Sequence, residues 1–425
     1  MKKVLLCLIL SIFTSNLNAQ NSQDYTIDLA RKFSKDLFES NGVPFMEPVV
    51  RVINSTSNSR FFTQAYVPQK VKKPYFRVGI HGMSGLVNDD LKSFSPVMPS
   101  SEYRFEDVGR YIEMEGLNIK RLDTAGLIHY LFMNMMYDGT KGANAGLIKV
   151  PQRASTALGT GDTKFELPHE SLETLFKNHP LYNFPLIPQG IKDSVSAAIA
   201  NFPEVFTLYG GNNLNMVFAA IPQFEIGSLY GTELLIRLIP PINLGETIGD
   251  FAFWGVGVKH SISQYFFDEY DQTGELIPVY QRPFDMAVQV VYQGTYLENK
   301  IGVTQADLKA NASLFSINFH ASKSFENLFD VYTGISYETI NITSKYKYLL
   351  PVEIQRELGL LDKDQEYPTP GFPGDTNPQT TELTIDASNL RWTIGIIKPI
   401  GNFDIFLDYS VSRFDILSGG IQYRF

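Results

Sequence analysis

Apolar and polar residues alternate along most of the second half of the chain. Between residues 284 and 296 the even positions are mainly apolar, and the odd positions are mainly small or polar. The apolar positions are Phe284, Met286, Val288, Val290 and Tyr292. Because successive side chains of a β-strand point to opposite faces, this pattern predicts a strand with one apolar and one polar face.

The same alternation recurs in nine segments from about residue 213 onward, and we predict a strand in each of them. These segments lie near 213–228, 230–240, 250–267, 283–299, 311–325, 328–345, 388–398, 402–412 and 416–425. Most are longer than the roughly 5–6 residues of a mean soluble strand and suit tilted membrane strands of about 9–11 residues. The predicted fold class is therefore an all-β, transmembrane antiparallel barrel with long extracellular loops.

The connections between these strands favour the same topology. If the end of the chain lies in the periplasm, the tight turns Pro399–Asn402, Phe325–Leu328 and Ser228–Gly231 all fall on the periplasmic side. The longest predicted connection, about Lys347–Ser388, falls outside, which is the usual asymmetry of such barrels. The connection Asp268–Arg282 departs from the rule, because it is long and would be periplasmic.

The first half of the chain has a mixed pattern. Tyr25–Phe38 carries apolar residues at helical spacing and predicts a short amphipathic helix, and Leu127–Met136 also predicts a helix. Phe61–Val67 and Tyr75–Leu86 predict strands. With both chain ends in the periplasm the number of strands must be even, and we predict 12 or 14.

The start of the chain has the order of a secretory signal peptide. Two lysines precede the apolar run Val4–Phe13, and the small residue Ala19 follows a polar stretch, so we predict a signal peptide over residues 1–19. The one cysteine, Cys7, lies inside it. The mature chain would then contain no cysteine and no disulfide, which suits an oxidising periplasm.

The rest of the chain divides into two predicted parts. Residues 20–58 form an N-terminal helical segment that lies in the periplasm or plugs the lumen, and residues 59–425 form the barrel. A plug in the lumen would block ions and water while letting a specific apolar solute pass. The alternative is an ordinary periplasmic arm.

Composition narrows the possible functions. The formal net charge is −9, so nucleic acid is not an expected partner. The mean hydropathy is −0.08, and no mature segment has the roughly 20 apolar residues of a membrane helix, yet a barrel hides its membrane signal in alternate residues. The 22 tyrosines and 31 phenylalanines could supply aromatic girdles at the membrane interfaces.

The last strand carries a signal of its own. It ends on Phe425, with Tyr423 two residues earlier. This ending resembles the assembly signal of bacterial outer-membrane barrels, which implies recognition of Phe425 by the barrel-assembly machinery and a location in the outer membrane.

Three segments carry a wider resemblance. They run from Ile221-Pro-Gln to Gly231-Thr-Glu, over Ile236-Arg-Leu-Ile-Pro-Pro, and over Gly255-Val-Gly-Val-Lys-His-Ser-Ile. They resemble a family of uncharacterised bacterial outer-membrane β-barrels, which is distantly similar to the long-chain fatty acid transporter barrels. The resemblance implies fold and location, and it implies a fatty-acid-like solute only weakly.

Four cations on the predicted polar faces are candidate ligand-binding residues. They are Arg237, Lys259, His320 and Arg391. Cations lining a polar lumen could meet the carboxylate of an amphiphile. The alternative is that they form structural charge pairs with lumenal acids, which every such barrel needs.

The strand that carries His320 also contains residues that a hydrolase could use. Ser316, Asn318 and His320 occupy alternate positions of one strand, as a lipid hydrolase could require. Neighbouring same-face residues on a strand lie roughly 6–7 Å apart, which is far for direct proton transfer. We therefore predict no enzyme, and no metal or cofactor, because no zinc, calcium or phosphate-loop spacing is present.

These observations predict an outer-membrane barrel that binds or passively transports a small hydrophobic molecule. The expected partners are outer-membrane lipid, that molecule and the assembly machinery. The alternative is a structural or adhesion barrel whose outer loops bind a partner. A lumen filled by side chains would favour this alternative over transport.

Overall fold

A computed structural model describes residues 22–57, 61, 64–69, 71–115, 118–184, 187, 189–243, 250–301, 306–326 and 328–425. Within these residues ten antiparallel strands close into one barrel. They are β1 Tyr75–Leu86, β2 Met216–Leu229, β3 Thr232–Asn243, β4 Asp250–Ser261, β5 Asp285–Ile301, β6 Ala306–Ser324, β7 Asp330–Tyr348, β8 Gln379–Ile400, β9 Phe403–Val411 and β10 Ile416–Arg424. The barrel closes because β1 pairs with both β2 and β10.

The predicted strands are largely confirmed, and the predicted strand number is wrong. All nine strands expected after residue 213 are present, and Tyr75–Leu86 is β1. The prediction of 12 or 14 strands fails because Phe61–Val67 forms no strand at its described positions, and because helices and short hairpins occupy most of the region between β1 and β2.

The two ends of the barrel differ. The lower mouth, where the chain ends at Phe425, carries turns at 230–231, 325–329 and 401–402. The turn at Tyr230 and Gly231 has positive φ at both residues, 48° and 74°, which matches the twist of a two-residue hairpin. The longer connection at 262–284 contains the short 3₁₀ helices Ser263–Tyr265 and Val279–Gln281.

An apolar belt surrounds the outside of the barrel, since alternate residues of each strand point outward and are exposed. On β9 these residues are Phe403, Ile405, Leu407, Tyr409 and Val411. The nine residues of β9 extend about 30 Å along the strand at ~3.3 Å each. Tilted by about 40°, they span roughly 23 Å, close to the apolar band of a membrane barrel.

Above the belt, strands β5 to β8 continue as a raised wall in which the polarity of the two faces is reversed. On the outward face of β7, apolar Ile335 and Tyr337 are followed higher up by polar Asn341 and Lys345. On the inward face, the polar residues are followed by the buried apolar residue Ile340. The same change occurs on β8. Above this height the apolar face of the wall points inward, as in a water-soluble protein.

Helices cover the upper mouth and form a cap with the long connections 87–215 and 349–378. They are α1 Ser22–Ser57, α2 Phe105–Val108, α3 Thr124–Thr140, α4 His169–Asn178, α5 Gln189–Ala200 and α6 Val352–Glu357. The longest connection is therefore 87–215, not the predicted Lys347–Ser388. The helix predicted at Leu127–Met136 is confirmed as part of α3.

Helix α1 joins the cap to the barrel. It is much longer than the short helix predicted at Tyr25–Phe38, and it continues past Pro44 and Pro48. Its first half packs in the apolar core of the cap, where Phe33 lies 5.3 Å from the ring of Phe132. Its second half packs against the inner face of the raised wall, and these contacts hold the helix together despite the prolines.

Candidate functional site

The four predicted cations all lie inside the barrel. The exposed fractions of Arg237, Lys259, His320 and Arg391 are 0%, 1%, 0% and 1%. Their strands place them on the inward face, opposite the apolar belt. Ligand binding by these four residues remains a prediction.

Lys259 and Arg391 form buried ion pairs with lumenal acids. Lys259 Nζ lies 2.6 Å from Oε1 of Glu233, and Arg391 lies 2.6 Å from Oε1 of Glu338. Burying a charge is costly unless it is paired and hydrogen-bonded. The sequence analysis left two roles open for these cations, ligand binding and structural charge pairs. Lys259 and Arg391 form such structural pairs.

The same cations also hold the N-terminal part of the chain. Lys259 donates a hydrogen bond to the main-chain oxygen of Gln64 at 3.1 Å, and Arg391 donates to that of Ser55 at 3.0 Å. We call residues 61 and 64–69 the plug segment, because they run inside the lumen from the end of α1 towards the lower mouth. The plug segment lies inside the lumen, whereas the predicted plug role of residues 20–58 stays a prediction.

Further contacts fix the plug segment mainly through its backbone. The Ala65 N–H donates to Ser322 Oγ at 2.9 Å, the Gln69 N–H donates to Glu269 Oε1 at 2.7 Å, and the Ser228 hydroxyl donates to the carbonyl of Pro68. The Gln64 side chain donates to Asp330 at 2.9 Å. Several strands and the turn at 262–284 thus hold one extended stretch of chain.

Arg237 has a different environment from the other cations. Its Nε donates to Oε1 of Gln223 at 2.8 Å, and its guanidinium carbon lies 3.9 Å from the ring centre of Phe61. Phe61 is buried and packs against Leu235 and Val291. Arg237 therefore connects strand β3 to the upper end of the plug segment by a cation–π contact.

The set Ser316, Asn318 and His320 is buried in the lumen. The hydroxyl of Ser316 donates to Oδ1 of Asn318 at 2.7 Å, and the Asn318 amide donates to Oε1 of Gln289 at 3.0 Å. The serine hydroxyl thus points to the amide. That no enzyme operates here stays a prediction.

The ladder between β2 and β3 stops partway up the barrel wall, and we call the unpaired stretch above it the side opening. Their ladder runs from Leu229–Thr232 up to Gln223–Arg237 and ends there. Above that point β2 continues to Met216 and pairs with β1, while β3 continues to Asn243 and pairs with β4. Among the described residues, no ladder joins the upper halves of the two strands to each other.

Prolines explain where the ladder ends. Pro222 lies directly above the last rung on β2. Pro240 and Pro241 lie three and four residues beyond Arg237 on β3, where the pairing of β3 with β4 also shifts register. Proline has no N–H to donate to a ladder and is confined to edges and bulges. These prolines belong to the segments that carry the family resemblance.

Apolar side chains surround the opening on both sides. Outward, Met216 and Phe218 on β2 and Leu238 and Ile242 on β3 are exposed, as expected next to lipid. Inward lies a buried cluster of Met83, Ile221, Phe253 and Ile416, with Ala219, Ile239 and Phe251 packed against it. Apolar side chains therefore lie on both faces of the wall at the side opening.

The lower mouth has a polar character. A cavity of about 220 Å³ is lined there by Gln64 of the plug segment together with Arg77, Asp330, Asp404, Gln422 and Arg424. Two of these cations are paired, since Arg77 contacts Glu225 at 3.1 Å and Arg424 contacts Asp404 at 3.1 Å. The plug segment thus contributes Gln64 to the lining of this cavity.

Neither a metal site nor a helical membrane span is found in the described part of the chain. No group of three or more histidine, cysteine, aspartate or glutamate side chains in these ranges could hold a metal ion. None of the described helices is both long and apolar enough to cross a membrane.

The chain belongs to a family of unknown function (DUF6588), whose model matches residues 1–425. No curated protein matches it. The expected link with the long-chain fatty acid transporters has no support in these comparisons, whereas membership of an uncharacterised family is confirmed.

Three solved structures with which the chain was matched are proteins of bacterial origin. Ail of Yersinia pestis is 10% identical with a TM-score of 0.20, and the match covers 46% of this chain and 96% of that one. The translocator domain of autotransporter NalP from Neisseria meningitidis is 8% identical with a TM-score of 0.24, covering 92% and 99%. The outer membrane protein OpdK of Pseudomonas aeruginosa is 10% identical with a TM-score of 0.12, covering 84% and 100%.

The sequence reasoning found the lumenal cations and missed the side opening. Its signal was present, because Pro222, Pro240 and Pro241 lie inside segments that otherwise alternate like strands. The partners of the cations were also missed. Backbone atoms of a distant, irregular segment leave no pattern in side-chain types, so nothing in the sequence indicated them.

Proposed function

We propose that the protein is a bacterial outer-membrane barrel that binds a small hydrophobic, fatty-acid-like molecule at the side opening between β2 and β3. One observation carries this proposal: the ladder between the two strands ends at Gln223–Arg237, although both strands continue upward. A molecule dissolved in the bilayer could enter there without crossing water.

The outer surface of the barrel supports a membrane location. The apolar belt has the height of a membrane barrel, the interior carries buried charges, and the polarity reverses where the raised wall begins. A bilayer core requires that backbone groups be paired inside the protein, which a closed barrel achieves with strands. The chain-terminal Phe425, which is exposed beside Tyr423, supports the further proposal that the assembly machinery recognises this end.

The chemistry of the opening suits an apolar guest. Unpaired N–H and C=O groups facing hydrocarbon cost several kcal/mol each. Because Pro222, Pro240 and Pro241 carry no N–H, fewer backbone donors need a partner in this part of the wall. The apolar side chains on both sides would exclude water and favour an alkyl chain.

Binding is better supported than free passage. Below the opening the described residues of the plug segment lie inside the lumen and are held by buried polar contacts, which favours binding over free passage to the lower mouth. The interior is therefore suited to holding a guest near the apolar cluster of Met83, Ile221 and Phe253.

The two tryptophans of the chain provide the test. Trp254 is 45% exposed and pairs with Leu238 at the edge of the opening, whereas Trp392 is 48% exposed and lies on β8 in another part of the wall. Trp392→Phe and Trp254→Phe therefore give two matched single-tryptophan proteins. Both are reconstituted in phospholipid vesicles and titrated with a brominated long-chain fatty acid, whose bromine quenches tryptophan fluorescence on contact.

Partition of the fatty acid into the bilayer should quench both tryptophans in linear proportion to its concentration. For Trp254 we expect an additional component that saturates, because the binding site fills. Trp392 should show only the linear part. Identical linear curves for both tryptophans would refute binding at the side opening.

A second function, binding of a partner through the cap, has one observation in its favour. The cap has its own apolar core, closes the upper mouth, and leaves Phe105 57% exposed, with Phe184 at 5.7 Å. Phe105→Ser should then weaken adhesion of cells that display the protein, with the vesicle titration unchanged. Unchanged adhesion in that variant would argue against this function.

A further inference from the structure

The cavity at the lower mouth is separate from the side opening. Its volume is about 220 Å³, and its wall consists of inward-facing residues at the lower ends of six neighbouring strands, β6 to β10 and β1. None of these residues belongs to the apolar cluster at the side opening. A ligand could therefore bind here independently of any molecule held there.

On one side of the cavity, Asp330 carries a negative charge without a counter-charge. Its Oδ2 accepts a hydrogen bond at 2.9 Å from the Gln64 amide, which is uncharged. Both arginines that line the cavity form ion pairs with other acids, and no described cation pairs with Asp330. Because a carboxylate can accept about four hydrogen bonds, Asp330 has room for a cationic donor.

The lining as a whole also has an excess of negative charge. Three acids and two arginines line the cavity, namely Glu326, Asp330, Asp404, Arg77 and Arg424. One arginine is held by Asp404 and the other by acids outside the lining, so neither charge is left over for Asp330. A ligand with one positive charge is therefore favoured over a neutral molecule or an anion.

On the other side of the cavity, Gln422 has a buried amide donor without an acceptor. The residue is 3% exposed and faces inward from β10, three strands away from Asp330 on β7. Among the described residues its Nε2 has no hydrogen-bond partner, which is rare for a buried donor because its desolvation is not compensated. A hydroxyl or carbonyl oxygen of a ligand would satisfy this donor. A negatively charged acceptor is disfavoured by Asp404, which faces Gln422 on β9.

Apolar side chains occupy the wall between these two polar groups. Ile397 and Pro399 line the cavity from β8, and Phe406 lines it from β9. Neighbouring strands lie about 4.8 Å apart, so β7 and β10 are separated by roughly 14 Å along the wall before their side chains reach inward. A ligand that contacts both polar groups therefore needs a short hydrocarbon link.

We propose that the lower-mouth cavity binds a small primary amine that also carries a neutral hydrogen-bond acceptor. Asp330 binds the ammonium group, Gln422 donates to the acceptor, and the apolar wall contacts the hydrocarbon link between them. The ligand class is an amino alcohol. The proposal does not rest on the function proposed for the side opening and concerns a different ligand.

Calorimetric titration of the full-length protein in detergent micelles at neutral pH tests this site. The probe is 5-amino-1-pentanol. Among the matched compounds, pentylamine lacks the acceptor, 1-pentanol lacks the charge, and 5-aminopentanoate carries a negative group in place of the hydroxyl. The same titrations into empty micelles give the heat of partition, which is subtracted.

We expect 5-amino-1-pentanol to give a saturable heat with one site per chain. Pentylamine should bind about five-fold more weakly, the loss expected for one neutral hydrogen bond. 1-Pentanol should bind more weakly by about ten-fold or more, because a charge-assisted hydrogen bond is lost, and 5-aminopentanoate should also bind more weakly. Absence of a saturable heat with the amino alcohol would overturn the proposal, and so would equal affinity for 1-pentanol.

Two variants of similar size assign the residues. Asp330→Asn should weaken binding of 5-amino-1-pentanol about ten-fold. Asp268→Asn changes an exposed acid of the same mouth that does not line the cavity, and it should leave the affinity unchanged. Gln422→Met removes the donor, so the amino alcohol and pentylamine should then bind equally. Unchanged affinity in Asp330→Asn would mean that the ammonium group binds elsewhere and would overturn the site.

Thermal unfolding of Gln422→Met separates ligand binding from a structural role of the amide. Because the Gln422 donor has no acceptor among the described residues, its removal should keep or raise the unfolding midpoint. A clear fall in the midpoint would mean that the amide stabilises the fold, and the role assigned to Gln422 would be wrong.

Discussion

Two strand pairs of the same barrel differ in how far they are hydrogen-bonded. We call the β7–β8 pair the long seam and the β2–β3 pair the short seam. The β7–β8 ladder runs without a register shift from Asp330–Ile397 to Tyr348–Gln379 and rises well above the apolar belt. The β2–β3 ladder ends at Gln223–Arg237, low in the wall. The first seam consists of alternating Thr, Ile, Ser and charged residues, and the second contains three prolines.

The difference shows how one fold can combine a rigid wall with an opening. In the long seam every residue can contribute to the ladder, and β-branched residues pack well on a pleated surface. In the short seam the prolines lack the N–H that a ladder needs. The following predictions test this contrast, beginning with the largest expected effect.

Breaking the buried ion pair inside the long seam should have the largest effect. Glu338→Ala removes the carboxylate that pairs with Arg391, and both side chains are 1% exposed. Loss of one partner leaves a buried uncompensated charge, for which we expect a loss of about 3–5 kcal/mol in the free energy of unfolding. Denaturant titration in vesicles, followed by the fluorescence of Trp392, measures it.

An exposed ion pair on the outside of the same seam provides the control. Glu382→Ala breaks the contact with Lys345, whose side chain is 62% exposed, and should hardly change the midpoint. If Glu338→Ala also leaves the midpoint unchanged, the buried lumenal pairs do not stabilise the wall as described.

Acid should loosen the cap, from which β2 emerges, before it affects the long seam. Burial lowers the pKa of His179 in the cap to about 4. An unfolded histidine has a pKa of about 6.5, so the unfolded cap binds a proton that the folded cap excludes. Stability is therefore complete above pH 6.5 and falls as the pH drops from 6.5 to about 4, by about 3 kcal/mol at most.

Hydrogen exchange at pH 7 and pH 4.5 measures this effect. Amide protection in the cap and upper β2 should fall at pH 4.5, while that of β7 and β8 remains. His179→Phe, which cannot be protonated, should remove the pH dependence of the cap. A loss of protection that is equal in the cap and in the long seam would contradict the assignment to His179.

Replacing the prolines should close the opening. Pro222→Val with Pro240→Thr and Pro241→Val restores three N–H groups, and we expect a gain of about 1–3 kcal/mol from two or three added hydrogen bonds. The saturable quenching of Trp254 by brominated fatty acid should disappear in the same protein. A variant that gains no stability and still shows saturable quenching would disprove that the prolines create the opening.

Much of the barrel could be predicted from its sequence, and for a clear physical reason. Strands such as β9 face lipid on one side and a polar lumen on the other, so burial and sequence alternate together. The predicted strand number was wrong in part because Phe61–Val67 has the residue pattern of a strand, whereas its described residues, 61 and 64–67, form none and lie inside the lumen. Local pattern cannot distinguish the two cases, since apolar residues suit both a barrel strand and a segment buried in the lumen.

The candidate site was predicted only in part. Arg237, Lys259, His320 and Arg391 could be placed in the lumen by parity alone. The contacts of these cations could not be predicted, because Lys259 and Arg391 bind backbone oxygens of residues far away in the sequence. The reversed polarity of the raised wall was visible in Asn341 and Lys345, which follow apolar Ile335 and Tyr337 at the same alternation.

Disulfide cross-linking across the short seam tests the side opening most directly. Phe224 and Ile236 are paired in the ladder below its end, and in the same register Phe218 would face Ile242 above it. We predict that Phe224→Cys with Ile236→Cys forms a disulfide readily in vesicles, because opposed strand positions lie within bonding reach. Phe218→Cys with Ile242→Cys should remain reduced under the same oxidant. Rapid cross-linking of both pairs would mean that the wall is closed, and the binding site proposed there would be lost.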